Sequence, residues 1–104
     1  MTQPKYAIRL LRVAEEDLRG IITYIALDNP SAAAAAALAN NIENRLSSLS
    51  SYPLLGKIPD EGELANMGYR FLVVQNYLIF YTIEERIIWV HRIIHGARNY
   101  VSLL

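Results

Sequence analysis

The spacing of apolar and polar positions changes several times along the chain, and each change marks an element. From Tyr6 to Leu11 the residues alternate loosely and include β-favouring types, which predicts a first strand. The period then lengthens. Ala14, Leu18, Ile21, Ile22 and Ile25 recur on one helical face, with Glu15, Glu16 and Asp17 in the first turn, where the helix dipole favours negative charge. This predicts a helix from about Val13 to Leu27. Asp28-Asn29-Pro30-Ser31 breaks it, and Asn29 followed by Pro30 fits an N-cap with proline in the first helical position. A second helix follows, because the alanines from Ala32 to Ala37 have the highest helix propensity and Ala35, Leu38, Ile42, Leu46 and Leu49 form a stripe running to about Ser50. So short a connection predicts an antiparallel helix hairpin, with small alanines allowing close approach.

Tyr52 to Gly62 contains two prolines and two glycines and is expected to be an irregular surface loop within one domain, although Leu54, Leu55 and Ile58 are too apolar for free solvent. Strands then follow over Tyr69–Val74, Tyr77–Ile83 and Ile87–Ile94, separated by Gln75-Asn76 and Glu84-Glu85-Arg86, before a frayed or helical tail after Gly96. Connections this short require antiparallel hairpins. The expected fold is α+β, in the order β-α-α-β-β-β, with the helix hairpin laid on one side of a small, mainly antiparallel sheet. Strict alternation in the last strand sends Ile88, Val90 and Ile94 to one face and Ile87, Trp89 and Ile93 to the other. Both faces are then apolar. Either a patch is left exposed for a partner, or the loop and the tail cover it.

Composition narrows the field. A chain of 104 residues, a little over half of them hydrophobic, suits one core over residues 1–104. The absence of cysteine excludes disulfides and thiolate metal sites and is compatible with a reducing cytoplasm. Neither a signal peptide nor a stretch near the ~20 apolar residues needed to span a bilayer is evident, so no membrane role is expected. Net charge is zero, which argues against a general nucleic-acid binder. Distribution is less even: Arg70, Arg86, Arg92, Arg98, His91 and His95 outweigh Glu84 and Glu85 after Tyr69, whereas Glu15, Glu16, Asp17, Asp60, Glu61 and Glu63 make the earlier part acidic. That asymmetry is either a basic patch or an ordinary solvated surface. No glycine-rich phosphate loop, metal-spaced His/Asp cluster or nucleophile elbow occurs, so no cofactor, metal or small-molecule substrate is expected.

Several short segments, taken in order, resemble the RelE/ParE toxins of type II toxin–antitoxin systems. They are Asp17-Leu18 with Ile21-Ile22-Thr23-Tyr24-Ile25-Ala26, Asn29-Pro30 before the alanine-rich helix, Tyr52-Pro53-Leu54-Leu55-Gly56, Gly68-Tyr69-Arg70, Tyr77-Leu78-Ile79-Phe80-Tyr81, and Arg92-Ile93-Ile94-His95-Gly96-Ala97-Arg98. The resemblance spans nearly the whole chain. It implies a growth-inhibiting, plasmid-stabilising toxin that is silenced when the C-terminal segment of a cognate antitoxin wraps its surface. It also implies one of two targets: RelE and YoeB relatives cut messenger RNA on the ribosome, whereas ParE relatives inhibit DNA gyrase.

Metal-free RNA cleavage requires a base, an acid and cations for the phosphorane charge. Arg70 and Arg98 match positions where RelE-like ribonucleases keep arginines, and His95 and Tyr100 can in principle move protons. Lys57, Arg92, Trp89, Leu103 and Leu104 are the candidates for target or antitoxin binding. Two departures weigh against cleavage. Lys57 stands among Asp60, Glu61 and Glu63 where those ribonucleases carry several lysines, and the chain continues past Tyr100 to Val101-Ser102-Leu103-Leu104 instead of ending on His-Tyr. The apolar tail looks more like ParE. Structural roles compete throughout: Arg70 and Arg92 as partners of Glu63, Asp60 or the tail, His95 as a strand-end cap, His91, Trp89 and Tyr100 as packing, Gly68 and Gly96 as turn residues. A degenerate, non-toxic antitoxin-binding module and an unrelated small α/β domain complete the alternatives.

Overall fold

The computed structural model describes residues 5–28, 32–96 and 98–104. Strand β1 (Ala7–Leu10) leads into helix α1 (Arg12–Asp28) and helix α2 (Ala32–Ser51); a short helix α3 (Gly62–Asn66) then precedes β2 (Arg70–Val74), β3 (Tyr77–Glu84) and β4 (Ile87–His95). A 3₁₀ turn, Tyr100–Leu103, closes the chain. The strands lie in the order β1-β4-β3-β2, with β1 parallel to β4 and the other pairs antiparallel, so the expected α+β arrangement is the one found. The proposed Asn29 cap and Pro30 lie outside the described residues.

Both long helices pack on one sheet face, with α2 reaching the two outer strands. Ala35, Leu38, Ile42, Leu46 and Leu49 are all buried, as the stripe required. Ala14 is buried with them, against Leu72, Val74, Ile79, Tyr81, Ile88, Val90 and Ile93. Of the alanine run, only Ala35 is buried and Ala34 half-buried, so most of the run contributes helix propensity and not close helix approach.

The alternation expected along β4 fails at one point. Phe80 pairs with Arg92 and Tyr81 with Val90, which leaves His91 as an extra residue in a β-bulge. The inserted residue shifts the phase of every side chain beyond it. Ile93 therefore joins Ile88 and Val90 in the helix-side core, and Ile94 turns to the opposite face, the reverse of the sequence expectation.

Among the described residues, the packing on the opposite face gathers over one half of it. Leu64 of α3, Tyr69, Phe80 and Ile94 form a second buried cluster, flanked by Phe71, Leu78, Tyr100, Leu103 and Leu104. The tail and α3 thus close the β2–β3 half, while the loop before α3 stays outside. Leu54 and Ile58 are 65% and 56% exposed, contrary to the expectation that they would be sheltered. Helix α3 carries a single buried apolar residue, Leu64, which is too little for a periodic signal. Gly68, at φ +86°, lets the chain reverse after it by adopting the left-handed conformation common past helix ends.

Candidate functional site

Strand β1 pairs only with Ile87–Val90, so the remainder of β4 has no strand beside it on that edge. Asp17 of α1 occupies part of the gap. Its Oδ2 accepts the Ile93 amide at 3.0 Å and Arg92 Nε at 2.7 Å, while Oδ1 accepts Arg92 Nη2 at 3.0 Å. The forked guanidinium matches the carboxylate, and this hydrogen bonding raises the Arg92 pKa above its already high ordinary value. Arg92 also donates Nη1 to the Leu103 carbonyl at 3.3 Å. Both side chains are mostly buried, so Arg92 joins α1, β4 and the tail; its carboxylate partner is Asp17, not Asp60 or Glu63.

Beyond this pair an open groove of about 550 Å³ runs between α1 and the end of β4. Ile21, Tyr24, Tyr77 and Ile93 supply apolar surface, Glu16 and Asp17 acid, and His95 and Arg98 the basic end. Tyr24 is 63% exposed, and His95 meets the Tyr77 ring edge-on at 5.5 Å between centroids. The Arg98 amide donates to the His95 carbonyl at 3.0 Å, which keeps the two residues side by side.

The other ribonuclease candidates face elsewhere. Arg70 Nη1 donates to the Gly56 carbonyl at 3.0 Å and more weakly to that of Leu54 at 3.5 Å, holding the apolar loop. Tyr81 completes this clasp: its hydroxyl donates to the Pro53 carbonyl and accepts the Gly56 amide, both at 2.8 Å. Burial pushes the Tyr81 pKa up, against the opposing pull of the Gly56 amide and Arg70. Tyr100 donates to Glu61 Oε1 across to the segment before α3. That bond holds the Glu61 carboxyl below its usual range and raises the Tyr100 hydroxyl.

Among the binding candidates, Lys57 is exposed and its backbone pairs with Phe71, extending the outer edge of β2. Leu103 and Leu104 are half-buried against the second cluster. Trp89 is half-buried on the outer sheet face, beside Leu11, Thr82, Glu84 and His91. Sequence reasoning did not find Asp17 as the organiser of the β4 edge, nor Tyr24 and Tyr77 as groove walls. In the sequence Asp17 reads as a first-turn acid favoured by the helix dipole, and nothing local reveals a partner 75 positions away.

Among the described residues no group of His, Cys, Asp or Glu is disposed to hold a metal ion, and no helix is long and apolar enough to cross a membrane. The sequence matches the family model described as ParE toxin of type II toxin–antitoxin system, parDE, over residues 8–100. No curated protein matches it. Solved structures share the fold, two of them as follows. A chain of the chromosomal ParDE toxin–antitoxin system from P. aeruginosa superposes with a TM-score of 0.71 at 15% identity, covering 89% of this chain and 98% of that one. A chain of the toxin–antitoxin complex RelBE2 from Mycobacterium tuberculosis gives a TM-score of 0.61 at 24% identity, covering 88% and 98% respectively.

Proposed function

Because the chain belongs to the ParE toxin family of type II toxin–antitoxin systems, we propose that it arrests growth by binding and inhibiting DNA gyrase, and that a cognate antitoxin silences it. The supporting observation is the dispersal of the groups that RNA cleavage would need. Only His95 and Arg98 share a groove, while Arg70 is committed to loop carbonyls and Tyr100 to Glu61. A cleavage site must gather base, acid and cations around one phosphate, within hydrogen-bonding reach of it. A binding surface has no such requirement.

The groove between α1 and β4 is the proposed docking surface, because it combines exposed aromatic side chains with an acidic side and a basic end. Arg98 is the residue proposed to anchor the bound protein at the basic end. Lys57, on the exposed edge of β2, is proposed as a second, weaker contact.

The test is pulsed expression in a bacterium with DNA, RNA and protein synthesis followed separately, alongside plasmid supercoiling by gyrase in the presence of purified protein. Early loss of DNA synthesis and of supercoiling is expected. An early stop in translation with cleaved transcripts would replace this reading with ribosome-dependent cleavage, and growth without any arrest would leave an inactive antitoxin-binding module. Arg98→Ala should reduce toxicity by about tenfold or more with little change in melting temperature, since Arg98 is exposed.

A further inference from the structure

The β1 side of the outer sheet face is reached by neither α3 nor the tail. Strand register places Arg9 beside Trp89 and Trp89 beside Thr82, so these residues form one row across β1, β4 and β3. Ile8 and Leu10 pack into the helix-side core, which directs Arg9 outward with Trp89. Glu84 follows Thr82 by two positions, on the same face at a separation of ~7 Å. Leu11, Thr82, Glu84, Trp89 and His91 surround a hollow of about 240 Å³.

The His91 ring is fixed by two contacts, Nε2 with the Thr82 hydroxyl at 2.9 Å and Nδ1 with the Tyr69 hydroxyl at 3.3 Å. Partial burial lowers its pKa, so at neutral pH this wall of the hollow is an uncharged imidazole. The hollow therefore has an indole surface, an aliphatic wall and a carboxylate on one rim, with the exposed Arg9 next to Trp89 on the neighbouring strand. Its volume suits one planar ring system and not a large ligand.

We propose that this hollow is a guanine site, in which the base stacks on Trp89, its N1–H and N2–H groups donate to the Glu84 carboxylate, and an attached phosphate pairs with Arg9. A carboxylate can accept both donors of guanine at once. Adenine presents a ring-nitrogen acceptor next to its amino group, and that acceptor would face the carboxylate unfavourably. Stacking on an aromatic side chain is tolerant of base identity, so Glu84 carries the preference and Trp89 the contact. Free guanine nucleotide and a guanine in single-stranded nucleic acid share this chemistry. The site is separate from the groove proposed for gyrase, and its test does not depend on toxicity.

Trp89 is the only tryptophan in the chain, so its fluorescence reports directly on the site. With excitation at the red edge, to avoid absorption by the bases, GMP is expected to quench it saturably and AMP and CMP about tenfold or more weakly, the scale of one hydrogen bond to a charged group. Glu84→Gln should remove the preference for GMP. Arg9→Gln should weaken GMP several-fold while leaving guanosine unchanged. Both substituted residues are exposed, so the variants are expected to fold, which circular dichroism checks. Tighter binding of the trinucleotide dT-dG-dT than of GMP assigns the site to single strands, and the reverse assigns it to the free nucleotide. The proposal is overturned if no nucleotide quenches saturably up to about 10 mM, a concentration beyond the range of specific recognition. Equal quenching by all bases, unaltered by Glu84→Gln, would overturn it as well.

Discussion

At the scale of single residues, the clasp on the Pro53–Gly56 turn shows how small an atom can decide a local structure. A Cβ built on Gly56 would lie 2.6 Å from the Tyr81 hydroxyl and ring, and Tyr81 is fully buried. Gly56→Ala must therefore expel either the turn or the ring, and urea denaturation should report a loss of about 2–3 kcal/mol. Tyr81→Phe keeps the ring but leaves the Gly56 amide and Pro53 carbonyl without their partner, for an expected loss of about 1–3 kcal/mol. If the two changes disrupt one unit, the double variant will lose less than the sum. Arg92→Ala removes the partner of a mostly buried Asp17 and should cost about 2–4 kcal/mol, more than the ordinary surface ion pair between Arg12 and Glu16. A loss below about 0.5 kcal/mol would place Arg92 among the solvated pairs instead.

At the scale of elements, the helices and strands were legible because burial imposes a period on sequence. The stripe of α2 matched residue by residue, and the three C-terminal strands were found within a residue or two of their expected limits. The bulge was not legible, since His91 looks like any other strand residue and its extra place is set by pairing with β3. The tail's cover over Phe80 and Leu64 was likewise open, because periodicity marks a face as apolar without saying what lies on it. For the candidate site, the sequence marked His95 and Arg98 but not the carbonyls and carboxylate that occupy Arg70 and Tyr100. The tail is held by Tyr100, Leu103, Leu104 and Arg92, so Tyr100→Phe tests one of its fastenings. Hydrogen exchange should accelerate in the Tyr100–Leu103 turn before the strands are affected, whereas unchanged exchange there would mean that packing alone holds the segment.

At the scale of the whole molecule, stability should fall in acid by two routes. His91 has a lowered pKa in the folded chain, so the unfolded chain binds more protons as pH drops below the ordinary histidine value of 6.5, and stability is lost in that direction. Glu61 has a lowered pKa as well; its contribution is present above 4.5 and disappears as the carboxyl protonates below it. A melting curve recorded from pH 8 to pH 4 should show the first decline near pH 6, and His91→Gln should remove that step. The edge of β4 has a consequence for the behaviour of many molecules together. A sheet with a bare edge is a template on which further strands can polymerise, yet here the Asp17 carboxylate already holds the Ile93 amide that an added strand would need. An incoming strand would have to displace a bound anion and leave Arg92 without its carboxylate, so Asp17 acts as a chemical stop against fibre growth along that side.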